Sequence, residues 1–141
     1  MAPRPILADD PTIFTLSIHG ANNFPFEKQE SELDIELPDS TGDRDYLAAV
    51  EAGVCRALSA AQPDLAIYLA GADPFEGDRL GRLAITKTGL AARDRLVFEL
   101  CKSSAVAVAI AMAGGYARRI EDSVDIHLKT VRTAAELLPS R

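Results

Sequence analysis

The chain has 141 residues, of which 48% are hydrophobic and 26% charged, and its formal net charge is −6. That length suffices for one domain with a buried core, and the composition is that of a soluble globular protein. The acidic balance argues against nucleic acid or an anionic membrane as a direct partner, since both would be repelled, while a cationic substrate stays compatible.

Residues 1–11 hold three Pro, two Asp and one Arg, and lack the apolar centre of a signal peptide. No run approaches the ~18 apolar residues of a membrane span, so a soluble, cytoplasmic protein is expected. Cys55 and Cys101 both fall within helical patterns and form no CxxC pair, which reads as two buried, reduced thiols.

Residues 12–18 (TIFTLSI) are β-branched and aromatic, with Pro11 before them and His19-Gly20 after, the punctuation of a strand. An irregular stretch, 21–31, precedes a short apolar/acidic alternation, LDIEL at 33–37, that ends at Pro38. The turn cluster 39–43 (DSTGD) also supplies helix-capping residues. From Tyr46, the apolar positions Leu47, Val50, Val54 and Leu58 recur at three and four, which predicts a helix that stops at Pro63.

LAIYLA at 65–70 is a continuous apolar run, suited to a strand buried on both faces of a parallel sheet. A Gly/Asp-rich loop, 71–81, separates it from a helix predicted over 88–103, with Leu96, Val97 and Leu100 on its apolar face. AVAVAIA at 105–111 predicts the next buried strand, Gly114-Gly115 break the chain, and a last helix is predicted over 118–137. Strands alternating with helices make this an α/β chain with a parallel sheet and helices on both faces. In such sheets chemistry collects beyond the carboxyl ends of the strands, here the loops 19–26, 71–81 and 113–117.

Three features in those loops could carry chemistry. Asp73 lies two residues past the glycine that ends a buried strand, where a carboxylate could serve as a hard ligand for a divalent cation or simply cap the loop. Gly114-Gly115-Tyr116 permits close backbone approach, and a phenol there is a neutral donor suited to a developing oxyanion; a plain surface turn fits equally. His19 at a strand end reads as a ligand or as a hydrogen-bonded packing residue. His127, the other of the two histidines, falls in a helical pattern and reads as structural. Phe24-Pro25-Phe26 fits an apolar channel or core packing. Lys87, Arg93, Arg95, Arg118, Arg119 and Arg132 read as solvated charges. The sequence contains no GxGxxG after a strand, no GxxxxGK[ST], no GxSxG and no HExxH. A small flavodoxin-like nucleotide-binding domain therefore lacks its phosphate loop.

Taken together, FTLSIHGANNFPF, LPDSTGDRDYLAAV, DLAIYLAGADPFEGDRLGRLAITKTGLAARDRLVFELC and VAIAMAGGYARRIEDSV resemble consecutive blocks of the zinc-dependent histone deacetylase family, whose wider group includes acetoin utilization proteins and acetylpolyamine amidohydrolases. The GDRLGRL phrase most resembles class IV-like bacterial members. The likeness covers nearly the whole chain, in order, and implies that residues 1–141 form one partial domain, the C-terminal portion of the arginase/deacetylase-type three-layer α/β fold.

The resemblance implies roles residue by residue. Asp73 matches a zinc ligand, and Tyr116 matches the tyrosine that hydrogen-bonds the substrate carbonyl and its tetrahedral intermediate. Phe24, Leu80, Gly114 and Gly115 match the acyl-lysine channel and its rim. Ser17 and the carbonyl of Ile18 match part of a monovalent-cation (potassium) site. The family's paired histidines and its Asp-x-His zinc ligands have no counterpart in the 141 residues, where neither His19 nor His127 stands in such a context. A catalytic zinc needs three protein ligands and an open position, so the chain alone is expected to retain no zinc and to be inactive. Two classes remain: a truncated or split deacetylase of acetylated lysine or polyamine that partners an N-terminal half, or a non-catalytic α/β module that associates with a partner or itself through an open sheet edge.

Overall fold

A computed structural model describes residues 4–23 and 30–138. A short helix α1 (Arg4–Leu7) leads into β1 (Leu16–Gly20) and β2 (Leu33–Leu37). Then follow α2 (Asp43–Ala61), β3 (Leu65–Gly71), α3 (Lys87–Ser103), β4 (Ala107–Ala113) and α4 (Ile120–Leu137). The chain is α/β with parallel strands, as the alternation of periods implies. The strands are distributed over two pairs: β1 with β2, in register from Leu16↔Leu33 to Gly20↔Leu37, and β3 with β4, from Leu65↔Ala107 to Gly71↔Ala113.

Each helix follows from its sequence. In α2 the buried positions Tyr46, Val50 and Gly53 recur at helical spacing, and Gly53 sits over Leu16, Ile18 and Ile35 of the first pair. Thr86 caps α3 by accepting from the Gly89 amide at 2.9 Å. The Asp43 carboxylate then accepts from the Thr86 amide (2.8 Å) and hydroxyl (2.6 Å), which ties the start of α2 to the start of α3. In α3, residues Leu90, Arg93, Asp94, Val97, Phe98 and Cys101 face inward. Phe98, fully buried, meets Tyr68 of β3 edge-on with ring centroids 5.7 Å apart. Leu37, Tyr46 and Val50 belong to the same cluster of buried apolar side chains as Leu90, Val97 and Ile126, so the helical side joins the two strand pairs.

Three element starts differ from the sequence pattern for local reasons. β1 begins at Leu16, because Thr12 is held in a turn by Asp10, whose carboxylate accepts from the Thr12 amide and hydroxyl. β4 begins at Ala107, because Ala105 (φ +56°) belongs to the end of α3: its amide donates to Lys102 and that of Val106 to Cys101. α4 begins at Ile120, because the backbone of Arg119 is extended (φ −113°, ψ +121°), and the Arg118 amide before it donates to the Gly77 carbonyl.

The LAIYLA run is covered on one side only. Tyr68 and Ala70 face the helices, whereas Leu65, Ile67 and Leu69 are 52, 69 and 48% exposed, since nothing among the described residues packs on that face. On α4, Ile120, Val124, Leu128 and Val131 form a second exposed apolar stripe. Cys101 is buried as expected, but Cys55 is exposed; both are free thiols.

Candidate active site

Because β3 and β4 run parallel with Gly71 opposite Ala113, the two loops beyond them lie side by side. The Ala72 amide donates to Ala113 across this junction. Asp73 projects there, over two glycines: a Cβ on Gly71 would come within 2.5 Å of its Oδ1, and one on Gly114 within 2.6 Å. Gly114 (φ +46°) and Gly115 (φ +130°) both hold backbone conformations that disfavour side chains. Burial pushes the Asp73 carboxyl above the usual range; the negative charge of Asp78 acts in the same direction, and Arg93 opposes it.

The loop carrying Asp73 is rigidly built. Phe75 and Ile85, 8 and 0% exposed, anchor it, with Glu76 donating to Ile85 and Ile85 to Pro74 along the backbone. Asp78 is buried, and one of its oxygens accepts from the Leu80 and Gly81 amides at 2.8 Å each. The other accepts from the Tyr116 amide at 2.6 Å. Backbone bonds from Arg79 to Tyr116 (3.0 Å) and from Arg118 to Gly77 (3.0 Å) complete the junction.

Beneath the strand end lies a buried polar network that the sequence pattern did not reveal as such. Arg93 is not a solvated charge: it is 4% exposed and donates to the Gly71 carbonyl at 2.6 Å, two residues before Asp73. Its Nε and Nη2 donate to Asp94, which also accepts from the Tyr68 and Thr130 hydroxyls. Arg93 and Asp94 stand at positions of the inward stripe of α3, so a signal was present in the spacing. Their burial follows from complete pairing. The phenols of Tyr46 and Tyr68 stand beside this pair, and burial raises both above the ordinary tyrosine range, Tyr68 the further.

Comparison with known proteins matches the histone deacetylase domain over residues 4–131. The chain belongs to the histone deacetylase family. An uncharacterized protein of Picosynechococcus sp. is 45% identical over 132 residues, covering 94% of this chain and 44% of that protein. Histone deacetylase 2 of Arabidopsis thaliana is 30% identical over 126 residues, covering 84% of this chain and 33% of that protein. The crystal structure of a histone deacetylase homologue from Aquifex aeolicus shares the fold with a TM-score of 0.77 at 21% identity, over 98% of this chain and 38% of that one. The chain thus spans less than half the length of these relatives.

Within this histone deacetylase-family chain, the residues singled out by sequence fall into two groups. Asp73, Gly114, Gly115 and Tyr116 come together at the β3–β4 edge; the Tyr116 side chain is 57% exposed. Leu80, 47% exposed, lies in the same loop, and its backbone amide donates to the Asp78 carboxylate. Ser17 and Ile18 lie apart from these, on β1. The Ser17 hydroxyl is 2.9 Å from His19 Nδ1, while His19 Nε2 stands 3.8 Å from Glu36, beyond hydrogen-bond reach. His127 lies in α4 near Gly115, its Nδ1 buried and unpaired among the described residues. Phe24 lies outside the described residues. Asp78, Arg93 and Asp94 are the site-forming residues that sequence reasoning missed. Among the described residues no three His, Cys, Asp or Glu converge as a set able to hold a metal ion, and no helix is long and apolar enough to cross a membrane.

Proposed function

We propose that this chain is the C-terminal part of a cytoplasmic, zinc-dependent deacetylase that hydrolyses the amide of acetyl-lysine or of an acetylated small amine such as a polyamine. The observation that carries the reading is the shared strand edge, where the carboxylate of Asp73 and the Gly114-Gly115-Tyr116 turn are held against one another. Asp73 is the chain's contribution to the zinc, and the Tyr116 hydroxyl donates to the acyl oxygen as negative charge develops on it. Gly114, Gly115 and Leu80, with Phe24, border the acyl channel. Ser17 and the Ile18 carbonyl serve a potassium ion.

The residues present fit zinc only in part. Asp73 is a desolvated carboxylate in a cradle of two glycines, which suits a ligand, but a catalytic zinc takes three protein ligands. His19 is engaged with Ser17 on β1, apart from Asp73, while His127 of α4 stands near Gly115. In this reading the 141 residues form one partial domain that is inactive alone and completed by a segment supplying the missing histidines and carboxylate.

The test is to assay the chain with added zinc on an acetyl-lysine peptide and on an acetylated polyamine, alone and co-expressed with the complementary segment of the Picosynechococcus relative. No turnover is expected alone, and turnover is expected in the complex, with Tyr116→Phe lowering kcat by about 10²–10³. Turnover by the chain alone would overturn its incompleteness, and a soluble but inert complex would overturn the split deacetylase. The exposed apolar residues of β3 and α4 favour a second reading, a non-catalytic module that associates through these surfaces. A concentration-independent monomer in size-exclusion chromatography would count against it.

A further inference from the structure

We propose that Asp78 is a positioning residue: its carboxylate clasps the Asp73 loop to the Tyr116 turn and fixes where the tyrosine stands. An aspartate that only shaped its own turn would need just the Leu80 and Gly81 amides, two and three residues ahead. Here the second oxygen crosses to the amide of Tyr116, 38 residues away, in the shortest of the three bonds. The carboxylate is buried, 6% exposed, so these three donors stand in for water. Bonds of a carboxylate to backbone N–H groups are the stronger, charge-assisted kind.

The receiving segment needs such an anchor. Tyr116 follows two glycines with φ of +46° and +130°, a backbone with little steric preference of its own. Its side chain is 57% exposed and, among the described residues, no hydrogen bond orients the hydroxyl, so the phenol's position is inherited from the backbone. That backbone is gripped at the Tyr116 amide by Asp78 and at the Tyr116 carbonyl by the Arg79 amide, both on the loop that begins at Asp73. Displacing that loop therefore displaces Tyr116 with it. The consequence for chemistry rests on the pairing of Asp73 and Tyr116 proposed above; the clasp itself does not.

Amide hydrogen exchange by NMR on the 141-residue chain tests it without any reaction. In the unaltered chain the Tyr116, Leu80 and Gly81 amides are expected to be protected. Asp78→Asn retains one acceptor oxygen but offers an NH₂ group on the other side. It should leave Leu80 and Gly81 protected, cut Tyr116 protection by about tenfold or more, and move the Tyr116 amide proton upfield. The β3–β4 ladder amides, such as Ala109, report that the fold persists. Should Asp78→Asn lose that ladder, the unaltered chain still decides: an unprotected Tyr116 amide overturns the clasp, and a protected, downfield one supports it. Unchanged Tyr116 exchange in a folded Asp78→Asn chain overturns it as well. A lack of deacetylation in every assembled form would sink the functional reading and leave the clasp standing, so the two fail separately.

Discussion

Asp94 has almost no contact with water, and it accepts hydrogen bonds from Arg93, Tyr68 and Thr130, three residues on three different elements. Burying a carboxylate and a guanidinium costs more than their attraction returns unless the remaining donors and acceptors are also satisfied. Here they are, with the spare guanidinium nitrogen spent on the Gly71 carbonyl at the root of the Asp73 loop. Asp94→Ala leaves the Arg93 charge buried without its partner, and a loss of about 3–5 kcal/mol is expected. Urea unfolding should show it as a lower midpoint with an unchanged slope. A loss below about 1 kcal/mol would mean that the pair is solvated and that the Gly71 anchor is incidental. The pair was visible in the sequence as two charges on an apolar stripe, but charge alone suggests solvent, and only pairing decides otherwise. Asp78 left no comparable trace: its partner is 38 residues distant, and no periodicity links the two.

At the scale of elements, what was legible was the interior of each helix and strand, where a period repeats often enough to be read. Of the positions that the spacing points to, Val50 in α2 and Val97 in α3 are buried, and Val54, Leu58 and Leu96 pack half-buried against the core. The starts of β1, β4 and α4 were not legible, because they are set by local hydrogen bonds. The junction of α3 and β4 is the clearest case: AVAVAIA reads as one strand from residue 105, yet Ala105 closes the helix with φ +56°. That conformation crowds the Cβ of an L-residue, and the paired bonds to Lys102 and Cys101 are the turn that glycine usually completes. Ala105→Gly is therefore expected to stabilise the chain by about 1 kcal/mol, the relief of strain exceeding the extra freedom of the unfolded state. The thermal midpoint measures it. A lower midpoint would show that the helix end is held by tertiary packing rather than by its own turn.

For the whole molecule, the part that sequence described least well is coverage. The LAIYLA run has the composition of a strand buried on both faces, and only one of its faces is buried here. A strand is what the pattern implies and what forms, but burial on both faces is not, since Leu65, Ile67 and Leu69 are exposed among the described residues. The relatives are more than twice as long as the matched stretch, and Leu65, Ile67 and Leu69 face outward among the described residues. A core residue and an interface residue can be told apart by substitution. If Ile67 belongs to an interface, Ile67→Lys should change the chain's own stability by no more than about 0.5 kcal/mol, as at an exposed site. The same change should reduce self-association of the isolated chain, read by light scattering, because a charge on an open sheet face opposes stacking and edge pairing. It should also abolish capture of the complementary segment of the Picosynechococcus relative in co-expression, since an unpaired ammonium would then be buried in the completed sheet. If Ile67→Lys instead unfolds the isolated chain, the residue is core and the exposed face is not a docking surface. If the complex assembles unchanged, the segment docks elsewhere, and the α4 stripe of Ile120, Val124 and Leu128 becomes the surface to substitute.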